Sequence, residues 1–139
     1  MRSLCFIPAL FLAACATSAP NTSPSKAASL ELPQMKSGEC GLFGWTTDEK
    51  RSFVFYADED EAKYAPQGQI IKLAANEAFP TLDYTDPEGR PVIIKLGKGE
   101  PLVGGTRYPF ARITSKTADG WDRVMPIALV RSCQSSASQ

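Results

Sequence analysis

Between residues 38 and 134 the apolar residues fall in short clusters separated by polar segments that carry glycine and proline, and no stretch keeps a helical period for long. GLFGW (41–45) and SFVFYA (52–57) flank the polar TTDEKR and predict a hairpin. QIIKLA (69–74) is a third β-type run. Leu82 and Tyr84 alternate with polar neighbours, Asp86-Pro87-Glu88-Gly89 puts proline and glycine where a tight turn needs them, and PVIIKL (91–96) returns. That is the clearest hairpin of the chain. LGKGEPLVGG reads as loop, and ARITSK (111–116) and the run over 121–130 lie either side of Thr117-Ala118-Asp119-Gly120 as a further hairpin. Pro126 cannot donate to a ladder, so it requires an edge or a bulge. Helical turns have room only at 58–64, where Asp58 and Glu61 have capping-box spacing, and at 74–79. Six or seven short strands predict an all-β fold, either a small antiparallel barrel or a two-layer sandwich.

The start of the chain follows another logic. Met1 and Arg2 form a short positive start, residues 4–14 are mostly apolar, and small residues follow, which is the order of a secretory signal. The apolar run is shorter than the about 20 residues that cross a bilayer. Leu12-Ala13-Ala14-Cys15 resembles the lipobox of bacterial lipoproteins. The resemblance implies that a diacylglycerol is attached to the Cys15 thiol, that a lipoprotein signal peptidase cuts before it, and that the new N-terminus is acylated. Each buried CH₂ contributes about 0.8 kcal/mol, so two or three chains hold a protein on a membrane. Ala14-Cys15-Ala16 also fits the small-x-small pattern of ordinary signal peptidase, which would cut after Ala16 and release a soluble protein. Ala16 is not the aspartate that retains lipoproteins in the inner membrane of enteric bacteria, which favours the outer membrane, facing the periplasm.

Residues 16–37 (ATSAPNTSPSKAASLELPQMKS) are rich in Ala, Ser, Thr and Pro and read as a flexible tether with a reach of about 25 Å. Leu30, Leu32 and Met35 are the first residues able to make domain contacts. The organisation expected is a signal at 1–14, a lipidated tether at 15–37, a folded domain at 38–134 and a disordered tail at 135–139. Cys5 leaves with the signal and Cys15 takes the lipid, so Cys40 and Cys133 remain, and in an oxidising compartment they form one disulfide joining the ends of the domain. No C-x-x-C motif marks a redox pair.

Charge and composition exclude more than they assign. Fifteen Lys and Arg balance fifteen Asp and Glu, so no polycationic character points to nucleic acid. Histidine is absent, which removes the commonest general base and the commonest zinc ligand. The acidic run 58–61 lacks the spacers and glycine of a calcium loop and reads as a solvated turn. Gly97-Lys98-Gly99 and Gly104-Gly105-Thr106 miss the spacing of a phosphate-binding loop. Asp83, Asp119 and Asp122 could in principle serve as a hydrolase acid and base, but any chain with so many carboxylates offers such pairs. No catalytic residue, metal or cofactor is assigned. Trp121, Tyr108 and Trp45 are the aromatic residues chosen as a candidate binding surface, with Trp121 directly after a turn.

Gly104 to Tyr108 reads GGTRY and is similar to the S-G-x-x-Y loop of the membrane-bound inhibitors of c-type lysozyme, with glycine in place of the serine. That family consists of small lipoproteins with disulfide-bearing β-barrels. The expected function is that of a non-enzymatic binding or assembly module, anchored to the bilayer through acylated Cys15 and meeting another envelope protein or cell-wall polymer. A carrier of small apolar ligands, or a protein like the lysozyme inhibitors, is the alternative.

Overall fold

The computed structural model describes residues 30–135, and the signal-like segment, Cys15, most of the tether and residues 136–139 lie outside them. Nine strands follow in order: β1 (Cys40–Thr46), β2 (Phe53–Ala57), β3 (Ala62–Tyr64), β4 (Ile71–Ala75), β5 (Asp83–Thr85), β6 (Pro91–Leu96), β7 (Glu100–Leu102), β8 (Gly105–Lys116) and β9 (Asp122–Cys133). All seven runs read from the sequence are strands; β3 and β7, three residues each, are added and are too short to show a period of their own. Every pairing is antiparallel, each of β1 to β5 joins the next, β6 pairs with β8, β8 with β9, and β9 with β1. This closes eight strands into an up-and-down barrel, with β7 as a ninth strand on the outside edge of β8. Closure removes the unpaired edges that a sheet otherwise exposes.

The inward positions follow from the period of two along each strand. Leu42, Phe55, Tyr64, Tyr84, Val92, Ile113, Ile127 and Leu129 are among the residues that fill the interior, and Phe55 meets Tyr84 edge to face at 5.6 Å. An eight-stranded barrel is narrow enough for side chains to occupy it completely. At β2 a bulge opposite Gly44 and Trp45 turns both Val54 and Phe55 inward. Phe53 and Tyr56 are thereby left on the outer side with Phe43 and Trp45. Burial pushes the Tyr84 phenol up to about 12, and its hydroxyl donates to the Thr81 carbonyl at 2.9 Å.

Residues 58–61 do not open a helix. The Asp58 carboxylate accepts from the amides of Asp60 and Glu61, as a capping side chain does, but Ala62 and Tyr64 then alternate inward and the chain reverses into β3. Pro126 lies just past Thr46–Ile127, the last residue pair between β1 and β9, so β9 is locally an edge on the β1 side while Pro126 stays opposite Arg112 of β8. The last part of the tether rests on the barrel: Leu30 is buried and the Met35 sulfur lies against Gly41. Cys40 and Cys133 are bonded and face each other in the β1–β9 register.

The β5–β6 turn carries the most enclosed carboxylate. Asp86 accepts from the amides of Glu88 and Arg90 and from Arg90 Nε at 2.8 Å. Loss of water raises its pKa, but the hydrogen bonds from Arg90 outweigh that and hold it below the ordinary value of 3.8. A depressed folded pKa gives stability that is present above 3.8 and disappears as pH falls through the folded value. Unfolding measured between neutral pH and strong acid should therefore show a steeper acid loss for the native chain than for Asp86→Asn. Equal slopes would mean the turn contributes nothing to acid stability.

Candidate functional site

An open apolar surface lies on the outer wall of β8 and β9, and it originates in a bulge. Tyr108 pairs with Leu129 and Ala111 with Ile127, so Pro109 and Phe110 together oppose the single residue Ala128. Proline in a strand promotes such a break because it cannot donate to the ladder. The extra residue shifts the alternation, turns Ala111, Ile113 and Ser115 inward, and throws Phe110 outward, where it is 79% exposed. A groove runs along each side of the ring. One, of about 520 Å³, has Leu96, Val124 and Pro126 in its walls; the other, of about 620 Å³, has Trp45, Ala128 and Val130.

Loop residues 97–99 help to set this wall. A Cβ at Gly97 would collide with the Phe110 carbonyl, and one at Gly99 would come within 2.9 Å of the Tyr108 ring. The two glycines let the loop cross close over the bulged strand, a packing role that accounts for the Gly-Lys-Gly sequence.

The grooves are bordered by cations. Lys95 and Arg112 line one, Arg51 and Arg107 the other, and among the described residues no acidic side chain lines either. Only Arg107 of these has a carboxylate near it among the described residues, Glu100 at 4.0 Å, and both partners are half exposed. A pair so exposed and so long contributes little. Acidic residues gather elsewhere: Glu39, Asp58, Glu59 and Asp60 surround a shallow hollow beside Cys40, at the disulfide end of the barrel. Burial raises and hydrogen bonds from Tyr56, Glu61 and Asp60 lower the Asp58 pKa, with a net fall.

The aromatic residues chosen from the sequence are not one cluster. Trp45 is half-buried on the outer wall, stacked with Phe43 and tilted against Phe53 at 5.3 Å, and forms one side of a groove. Tyr108 is turned to the inner side, packed against the core under Gly99. Trp121 is 74% exposed at the β8–β9 turn, with its amide bonded to the Thr117 hydroxyl. Gly104 to Tyr108 runs from the β7–β8 turn into β8. Among the described residues no three His, Cys, Asp or Glu side chains gather to hold a metal.

No family model, curated protein or solved structure matches this chain. Phe110 and the four cations escaped the sequence reading, although Pro109, two residues before the run 111–116, was a local signal for the bulge.

Proposed function

We propose that this chain is a lipid-tethered, non-enzymatic binding module of the bacterial envelope, held on the membrane through Cys15, whose barrel docks another envelope protein on the β8–β9 wall. The observation that carries the reading is Phe110, exposed between two apolar grooves whose charged lining residues, among the described ones, are Lys95, Arg112, Arg51 and Arg107. Aromatic side chains with arginines beside them are the residues in which binding energy concentrates. The partner surface that fits is an apolar segment flanked by Asp or Glu, since the cations steer and orient it while the ring and the grooves supply the burial. The interior is occupied by Phe55, Tyr64, Tyr84 and aliphatic side chains, which favours a partner on the wall over a small ligand in the lumen.

A photo-reactive residue at position 110 should cross-link one defined envelope protein in the native host, while the same residue at Lys72, exposed on β4, should not. Phe110→Asp should abolish the adduct formed from a neighbouring probe at Val124 and leave the unfolding midpoint nearly unchanged, because exposed substitutions shift stability by about 0.5 kcal/mol or less. The same adduct from position 72, or its survival in Phe110→Asp, would refute the docking wall.

A further inference from the structure

The inner face of the barrel changes character at the end away from the disulfide. Below are Ile113, Ile127 and Leu129, fully buried. The last inward positions are polar: Ser115, its cross-strand partner Arg123, Tyr64 of β3, and Asp86 with Arg90 from the β5–β6 turn. They surround a mouth of about 170 Å³. Arg123 faces inward because it lies two residues before Met125 and four before Ile127, both of which pack in the core.

The polar groups here are unequally satisfied. Asp86 and Arg90 neutralise each other at 2.8 Å, and Lys116 is taken by Asp122 at 2.6 Å. Arg123 has no carboxylate within ion-pair distance among the described residues. Tyr64 is 1% and Ser115 6% exposed; their hydroxyls lie beside each other, and neither has a further hydrogen-bond partner among the described residues. Burial pushes the Tyr64 phenol up, and Ser115 and Arg123 are near enough to pull against that. Buried hydroxyls usually have their full set of partners, and these two face the cavity with hydrogen-bonding capacity to spare. Water at about 30 Å³ per molecule would fit and could satisfy hydroxyls. Water would still leave the arginine without a counter-charge.

We propose that this mouth binds a carboxylate, gripped by the Arg123 guanidinium and by the hydroxyls of Tyr64 and Ser115. A planar two-oxygen anion matches the arginine fork, and hydroxyls can donate to the same oxygens. A singly charged group fits better than a phosphate dianion, since one cation is uncompensated and Asp86 borders the same space. The carboxylate comes either from a free small acid or from a protein chain, as a terminus or an acidic side chain. This site is at the barrel end and does not depend on the β8–β9 wall.

The test is an NMR titration of the full chain with acetate and with acetamide, then with N-acetylglycine and N-acetylglycinamide, following the Arg123 side-chain N–H and the amides of Ser115 and Tyr64. Acetate should shift these signals saturably and acetamide should not. Arg123→Gln should weaken acetate binding by about tenfold or more, Ser115→Ala by about threefold, and Phe110→Asp not at all, each checked for an unchanged amide spectrum. N-acetylglycine binding about tenfold tighter than acetate would identify a chain carboxylate, and equal or weaker binding a small free acid; both support the site. Saturation by acetamide at the same concentrations, absence of saturable acetate shifts, or unaltered binding in folded Arg123→Gln would overturn it.

Discussion

The double variant Cys40→Ser/Cys133→Ser is expected to unfold about 4.5 kcal/mol more easily than the native chain. The bond spans a sequence separation of 93, nearly the whole described domain, and in the chain-entropy account the cost of closing so long a loop is removed from the unfolded state. A domain of this size has a total stability of about 5–15 kcal/mol, so the loss would leave it marginal. Its position in the fold adds a second reason. Cys40 and Cys133 are the terminal pair of the β1–β9 ladder, the seam where the first and last strands of the barrel meet, and the amide of Gly38 and carbonyl of Gln134 carry that ladder one step further. Without the bond both chain ends are free to fray together. Urea unfolding of the oxidised chain, the reduced chain and the double variant measures this, and reduction and substitution should agree. A loss below about 1 kcal/mol would show that the unfolded chain is already restrained at this seam by other means.

Phe55→Ala should cost about 3–5 kcal/mol, and Phe53→Ala clearly less. Phe55 has no exposure and fills the interior against Tyr84, whereas Phe53 is half-buried on the outer wall beside Trp45. Strict alternation along SFVFYA would place Phe53 and Phe55 on the same face and give them similar weight. The bulge at Val54 separates them. Denaturant unfolding of the two single variants therefore tests the register itself, and equal losses would mean that the bulge is absent.

The same device explains why the candidate site was hard to see in advance. Strands, hairpins and most turns were legible because each depends on a few adjacent residues: Asp86 to Gly89 closes its turn through the Asp86 carboxylate, and Val92 and Ile94 alternate inward as PVIIKL suggests. Trp45, Tyr108 and Trp121 were equally visible as aromatic residues. Which face each occupies depends on bulges and on what lies across the sheet. Tyr108 went inward beneath Gly99, while Phe110, two positions on, went outward because one residue was added between Tyr108 and Ala111. The cations gather from different strands and loops, so no window of sequence contains them together.

The sequence by itself determined an all-β domain closed by a Cys40–Cys133 disulfide, because alternation, turn chemistry and cysteine count are properties of the chain read locally. Only the tertiary structure decided between barrel and sandwich: the deciding pair is β6 with β8, across the loop that holds β7. It also decided that Phe110 is open, and that Arg123 stands beside two buried hydroxyls at the barrel mouth. The physical reason is one and the same. A side chain's orientation within a strand is local up to the first bulge, but its neighbours come from strands distant in sequence, and only the closed barrel brings them together.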